Sequence, residues 1–484
     1  MQFQTNYFHV KNTPILDQAF DPQTFEKNGV ELIKLLSQYL NDVFIDKLPV
    51  TEHVDPNKEY QHWENNFPMA SGGSADPLKL FKTILARSIH VHHPHYIGHQ
   101  VATTAPLAAL SNVFSGLLNN GMAIYEMGAA ASAIEKLVTD YMCTKIGYQN
   151  GTGILTSGGT LANLTAMLAA RSAMIENEVW TKGHQEGHVV FVSDAAHYCV
   201  DRALRIMGFG DAGIVKIETD EHFKMTSDAL QSQYEIQTKL GNKVMAIVAS
   251  APSTSTGTYE DLDSISAFCR KINCWFHIDA AHGGAAIFSD KYKHLLTSVE
   301  TADSIVIDVH KMMLAPGIMT FLLFKNKSDS YATFNQKAEY LWNDDQSDEW
   351  FNYGKRTFEC TKEMMGVKFF VMQQVYGDKL FEEYVDNQYD LARAFAKLIR
   401  ERNNFELAHE PDSNIVCFRY SNQETDVDQL NASIRKSMLD EGKYYIVQTK
   451  LKGKTYLRVT IMNHLTNEKI LKELLDEIEH QACV

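Results

Sequence analysis

The sequence predicts an α/β protein, in which a large domain with a mostly parallel sheet covered by helices is followed by a small C-terminal α+β domain. Three observations carry this. Five short runs are strongly apolar, Val189–Val192, Val244–Val248, Trp275–Ile278, Ser304–Val309 and Met319–Phe324, and continuous rather than alternating hydrophobicity marks strands buried on both faces. Amphipathic helical stretches separate these runs. From about Lys368 the pattern changes to a long helical stretch, a strand at Ile415–Phe418, strands at Tyr444–Val447 and Tyr456–Ile461 around a turn containing Gly453, and a closing helix from about Glu468 to Gln481.

Ahead of the sheet, Asp21-Pro22 pairs an N-cap with a residue suited to the first helical position, so a helix is expected to run to about Phe44 with Phe25, Leu32, Leu35 and Leu36 among its apolar positions. The expected division is residues 1–85 as an N-terminal helical segment, 86–367 as the large domain and 368–484 as the small domain. Residues 326–357 are polar and aromatic without clear periodicity, which suits either an active-site loop or a solvated insertion. No internal repeat or low-complexity tract breaks this order.

Composition narrows the function classes. The chain has 484 residues, of which 45% are apolar, and an excess of 60 acidic over 45 basic residues gives a formal charge of −15. Such a surface argues against nucleic acid or an anionic membrane as partner. Met1–Asn6 has no basic segment leading into an apolar stretch, and no window approaches the roughly 20 apolar residues of a membrane span. A soluble, cytoplasmic protein is therefore expected. Seven cysteines at irregular spacing resemble no disulfide framework, and Cys269/Cys274 lacks a second pair at zinc spacing.

The chemistry is carried by Lys311, which ends the run Ser304-Ile305-Val306-Ile307-Asp308-Val309-His310-Lys311, and by Asp279, 32 residues upstream at the end of another strand-like run. Pyridoxal 5'-phosphate requires such a pair. A lysine amine forms a Schiff base with the cofactor aldehyde, and an aspartate opposite the pyridine nitrogen keeps it protonated, so that the ring accepts electrons from a bond broken at the substrate Cα. Taken singly, the lysine reads as a solvated strand end and the aspartate as a cap. Gly153–Thr160 places glycines and hydroxyls where an apolar helical face begins at Leu161, Leu164, Met167 and Leu168, and free amides with the helix dipole there suit a phosphate. Most Ser-Gly-Gly-Thr turns are only turns; the order of this one relative to Asp279 and Lys311 strengthens it. His197 follows Val189–Val192, which puts an imidazole at the carboxyl edge of the same sheet, where open α/β sheets bind ligands. It suits stacking on the cofactor ring and proton transfer, although an ordinary loop histidine fits the sequence as well.

These residues resemble the group II pyridoxal-phosphate-dependent decarboxylases, which include glutamate, aromatic amino acid, cysteine sulfinate and diaminobutyrate decarboxylases. The resemblance spans about residues 75–465. It rests on His93-Pro94-His95-Tyr96, Asn119-Asn120 with Tyr125-Glu126, Ser157-Gly158-Gly159-Thr160-Leu161-Ala162-Asn163, Ser193-Asp194-Ala195-Ala196-His197, His277-Ile278-Asp279-Ala280-Ala281 and His310-Lys311. It implies a fold type I enzyme that releases carbon dioxide from a small amino acid substrate, working as a homodimer with its active site at the subunit interface. By that resemblance Lys311 is the Schiff-base lysine, Asp279 the pyridinium partner and His197 the stacking histidine. Gly159 and Thr160 match phosphate ligands, His310 the histidine beside the lysine, Thr254 and Ala281 ring contacts, and Arg458 an arginine that reaches a substrate carboxylate. Tyr96 and His99 are expected near the substrate, together with His92, His93, His95 and Gln100.

A loop tyrosine, Tyr340 or Tyr353, is the expected proton donor at Cα, and relatives lacking it produce an aldehyde instead of an amine. Two departures stand out: Asp308-Val309 replaces a common Asn-Pro before His310-Lys311, and Thr361-Lys362 replaces a Gly-Arg. The resulting expectation is a short acidic substrate, then a diamino acid, then an aromatic one. Two rivals are a metalloenzyme using His92, His93, His95 and His99, against which Pro94 breaks helical ligand spacing, and a catalytically idle relative that binds the cofactor.

Overall fold

The computed structural model describes residues 14–67, 75–175, 179–184, 187–334, 349–421 and 426–483. The chain forms two compact units, one of Met1–Tyr96 with Met438–Tyr445 and one of Ile97–Ser437 with Ile446–Val484.

In the first unit one local device recurs three times. Helices Pro22–Phe44, Pro56–Asn66 and Pro77–Ala86 each begin at proline, and Asp21, Asp55 and Asp76 each accept hydrogen bonds from first-turn amides. The carboxylate satisfies donors the helix cannot, and proline needs no donor there. Met438–Tyr445 returns to this unit through Val50 N–H donating to the Gly442 carbonyl at 2.9 Å and Tyr445 N–H donating to the His95 carbonyl at 3.1 Å. The rings of Tyr444 and Tyr445 stack on His95 and Tyr96. That engagement explains why the strand expected at Tyr444–Val447 begins only at Val447.

The second unit is built on a seven-stranded sheet. In chain order its strands are β1 (Thr152–Thr156), β2 (His188–Ser193), β3 (Ile214–Ile217), β4 (Lys243–Ser250), β5 (Trp275–Asp279), β6 (Ser304–Asp308) and β7 (Thr320–Phe324). The spatial order is β1-β7-β6-β5-β4-β2-β3. Only β7 runs against its neighbours. Alternate residues feed separate cores: Phe191, Ile247, Phe276, Ile305 and Phe321 join one, while Val190, Val248, Trp275, Val306 and Leu322 join the other. This two-sided burial is the cause of the continuous apolar runs. Strand β1 escaped sequence reading because Gly153 sits in it. A Cβ there would lie 2.5 Å from Leu323 Cδ2 and 2.8 Å from Thr139 Cβ, so close packing excludes a side chain.

A second, wholly antiparallel sheet has the order β10-β11-β9-β8, with β8 Phe405–Leu407, β9 Ile415–Tyr420, β10 Val447–Leu451 and β11 Lys454–Thr460. Helices Gly366–Arg400, kinked at Gly377 (φ +65°), and Glu468–Cys483 pack against it.

Edge strand β1 shows how the Thr361-Lys362 departure is accommodated. Buried Glu135 accepts the Leu155 N–H at 2.9 Å, and Lys362 Nζ donates to Glu135 Oε1 at 2.5 Å and to the Leu155 carbonyl at 2.5 Å. Lys362 Nζ also lies 4.8 Å from the centroid of the Tyr353 ring, and buried Arg356 donates to Thr152 Oγ1 and the Gly153 carbonyl. Charged side chains thus satisfy the outward polar groups of the edge. Burial pulls the Lys362 pKa down while Glu135 supports its charge. Replacing Lys362 by Met strands the Glu135 carboxylate and is expected to destabilise the protein by about 3–5 kcal/mol. The Glu135→Leu/Lys362→Met double variant recovers most of that, because no buried charge remains unpaired. Thermal and urea unfolding of the three proteins checks this.

Candidate active site

The carboxyl ends of the parallel strands form one rim. Ser193, Ser250, Asp279 and Asp308 are the last residues of β2, β4, β5 and β6, and Ser250 pairs in register with Asp279. Just past this rim lies a cavity of ≈ 430 Å³, and Lys311, His310, Asp279, His197, Gly159, Thr160, Thr254 and Ala281 all line it. Arg458 lies on a second cavity of ≈ 460 Å³, which it shares with His197 and Thr254. Its Nη1 donates to the Thr254 carbonyl at 2.7 Å, and its buried Nε has no partner among the described residues. Tyr96 and His99 line neither cavity. Tyr340 lies outside the described residues. Tyr353 is fully buried, with its hydroxyl donating to the Ser132 carbonyl at 3.3 Å.

Lys311 is set by its neighbours. Its Nζ lies 3.0 Å from Asp308 Oδ2. His310 Nε2 stands 3.7 Å from the same oxygen, and the other oxygen, Oδ1, accepts the Thr320 hydroxyl at 2.5 Å. Asp308 pairs in register with Thr320 across β6 and β7, so the sheet itself places this contact. The carboxylate substituted for Asn-Pro is therefore matched rather than orphaned. Burial works to discharge the Lys311 ammonium, but the Asp308 and Asp279 carboxylates more than offset it and hold the pKa above the usual lysine range.

Asp279 closes the opposite side of the network. Burial pushes its pKa up, while Lys311, the Ala281 N–H and His197 act to keep it charged. Ala281 N–H donates to Oδ1 at 3.2 Å and Asn163 Nδ2 to Oδ2 at 3.3 Å. His197 caps helix Tyr198–Ile206 by accepting the Cys199 N–H at Nδ1, 3.3 Å. With Nδ1 occupied as an acceptor, the neutral ring carries its proton on Nε2. Burial holds its pKa below the ordinary histidine value.

The site fits pyridoxal phosphate. Helix Gly159–Met174 starts at the cavity with its first amides free, after Gly158 at φ +103°. Gly159 packs closely on Asp308, where a Cβ would sit 3.1 and 3.2 Å from the carboxylate oxygens, and the free amides of the helix start suit an anion. The donor set is therefore amides and hydroxyls at one end, a lysine amine, and a buried carboxylate.

Sequence reading gave no role to Asn163, Ser250, Pro252, Cys199 or His282, which also line the cavity. Asn163 carried a usable signal, since it stands one helical turn after Gly159 and its Nδ2 donates back to the Gly159 carbonyl at 2.9 Å. Of the four histidines weighed as metal ligands, only His93 and His95 come together, with Asp46, their ligand-capable atoms within 4.8 Å of one another among the described residues. Both ring nitrogens of His93 are engaged, Nε2 with Asp46 at 2.9 Å and Nδ1 with the His95 N–H at 3.1 Å.

A rim of this kind, with a lysine, a buried aspartate and a phosphate cradle, defines a pyridoxal-phosphate enzyme of the α/β class. The pyridoxal-dependent decarboxylase conserved domain matches residues 59–421, and the chain belongs to that family. It is 26% identical over 464 residues to an aromatic-L-amino-acid decarboxylase of Bacillus atrophaeus, covering 94% of each chain. It is 27% identical over 437 residues to an L-aspartate decarboxylase of Metarhizium robertsii, covering 88% of this chain and 86% of that one. Its fold matches the crystal structure of the glutamate decarboxylase domain of diaminobutyrate-pyruvate transaminase and L-2,4-diaminobutyrate decarboxylase from Vibrio parahaemolyticus, with a TM-score of 0.84, 24% identity, and coverage of 98% and 97% of the two chains. The protein is a pyridoxal-phosphate-dependent decarboxylase.

Removing the Asp308 charge tests the electrostatic reading of Lys311 directly. In Asp308→Asn the ammonium loses its nearest counter-ion, so the amine is freed at lower pH. The pH midpoint for cofactor capture, followed by stopped-flow absorbance, is expected to fall by about one unit or more, on the scale of a close charge pair.

Proposed function

We propose that this chain decarboxylates a short acidic L-amino acid, with a diamino acid as the next candidate, to the corresponding amine. The observation that carries the reading is the convergence of Lys311, Asp279 and His197 on one cavity. Bound pyridoxal phosphate supplies an aldehyde that amines capture and a ring that draws electrons from a bond broken at the substrate Cα. Lys311 would hold the cofactor, Asp279 would keep its ring nitrogen protonated, and His197, with its proton at Nε2, would face the ring. Gly159, Thr160 and the helix amides would hold the phosphate, with His310, Thr254 and Ala281 around the ring. Arg458, buried and with Nε unsatisfied, suits a substrate carboxylate, and relatives named for L-aspartate stand among those the chain resembles. His99 is the remaining proposed substrate contact.

Tyr340 is the proposed proton donor, since Tyr353 is buried against Ser132 and Lys362. We also propose a homodimer with the active site at its interface, acting in the cytoplasm. Helix Pro106–Leu118 supports the dimer, because it exposes Leu110, Val113, Phe114, Leu117 and Leu118.

Carbon dioxide release across the proteinogenic acids, cysteine sulfinate and 2,4-diaminobutyrate, with amine and aldehyde assayed separately, tests this reading. Turnover confined to aromatic acids would overturn the substrate class. Lys311→Ala is expected to lose the visible absorbance of the bound cofactor and nearly all turnover. Asp279→Ala is expected to retain some cofactor while losing activity by about a hundredfold or more, the scale seen when a preorganised electrostatic partner is removed.

A further inference from the structure

Behind Asp279 runs an unbroken chain of buried hydrogen bonds. The Trp275 indole N–H donates to Ser304 Oγ at 2.9 Å, and Ser304 Oγ lies 2.8 Å from His277 Nδ1. His277 Nε2 lies 2.8 Å from Asn163 Oδ1, and Asn163 Nδ2 reaches Asp279 Oδ2 at 3.3 Å. Ser304 and His277 are fully buried and Asn163 is 1% exposed. Since His277 and Asp279 stand two apart on β5, both face the same side of the sheet.

The chemistry of the groups gives the chain one direction. The Gly159 carbonyl takes the Asn163 NH₂, so Asn163 Oδ1 faces His277 Nε2 as an acceptor; Nδ1 then accepts the Ser304 hydroxyl, which itself accepts the indole N–H. A neutral imidazole accepting at Nδ1 carries its proton on Nε2, and that proton meets the Asn163 carbonyl oxygen. Burial drives the His277 pKa down to about 3, so the ring stays neutral across the working range. The Asn163 amide is left with its NH₂ facing the Gly159 carbonyl and the Asp279 carboxylate. Flipping it would set its oxygen against those two acceptors and its NH₂ against the His277 N–H. Burial favours a protonated Asp279, and donors to the charged form oppose that. Ala281 N–H supplies one oxygen with a donor and Asn163 supplies the other. Lys311, His197, Asp308 and the Cys199 thiol are the charged or titratable groups that act on the carboxylate from other elements, and Cys199 Sγ also lies 3.6 Å from Asn163 Nδ2.

We infer that Asn163, oriented by Ser304 and His277, is a positioning residue whose amide holds the Asp279 carboxylate ionised and in a single orientation for the cofactor ring nitrogen. This rests on the role proposed for Asp279 and extends it to the residues hydrogen-bonded behind that carboxylate. A residue that merely filled space would leave the protonation of the ring unchanged.

The test uses holoenzyme reconstituted with pyridoxal phosphate carrying ¹⁵N in the ring, whose chemical shift reports the nitrogen's proton. In Asn163→Leu and Asn163→Ala, the pH at which the ring loses its proton is expected to fall by about one unit, and kcat by about tenfold, since one unit is a tenfold change in proton affinity. KM is expected to stay close to the parent value. His277→Phe shifts both in the same direction, and His277→Gln, which can still accept from Ser304 and donate to Asn163, restores most of the loss. Asp279→Asn is the control. If it leaves the ring nitrogen protonated as in the parent, the role of Asp279 itself is wrong. If it strips the proton while the Asn163 and His277→Phe variants that load cofactor titrate normally, the donor chain alone is overturned.

Discussion

Burial of the seven-stranded sheet on both faces is the constraint from which the rest follows. With apolar cores above and below, buried charged groups collect at the carboxyl ends of the central strands. Parallel strands bring those ends to one side, which is why Ser193, Ser250, Asp279 and Asp308 terminate their strands together. The helix starting at Gly159 opens its free amides beside them. A cavity rich in polar groups beneath an apolar fold is the consequence, and its low dielectric makes each charge there sensitive to a single neighbour.

Partnering of buried charge is the second theme. Asp308 brings a carboxylate into the rim, yet Thr320, His310 and Lys311 surround it. Lys362 brings an ammonium into the packed edge of β1, where Glu135 and the Leu155 carbonyl receive it. Both charges are accommodated because the partner already stands in place. In each case the sheet or a neighbouring helix supplies that partner through backbone register, not through flexible surface side chains.

Much of the fold was legible in the sequence for the same reason. Five strands announced themselves because two-sided burial demands unbroken apolar residues, and the helix starting at Pro22 did so through its Asp-Pro cap. Strand β1 was hidden because Gly153 must be small to pack against Leu323 and Thr139. Strand β3 was missed because its four residues include exposed Lys216. In the site, the residues with distinctive chemistry next to strand ends were readable: Lys311, Asp279, His197 and the glycine turn. Asn163 and His277 were not, since a buried amide and a neutral imidazole look like ordinary core polar groups until their partners are known.

By itself, then, the sequence determined the apolar-run strands, the capped helix and the chemical type of the site, because helix caps, apolar runs and strand-end residues act over a few positions. Tertiary structure decided which distant groups meet: Asn163 with His277, Thr254 with Arg458, Asp308 with Thr320. It also decided that Tyr444 and Tyr445 pack on His95 and Tyr96 instead of extending a strand. Hydrogen bonds and ion pairs of this kind depend on separations set to within a few tenths of an ångström between segments far apart in the chain, and no local pattern of residues encodes them.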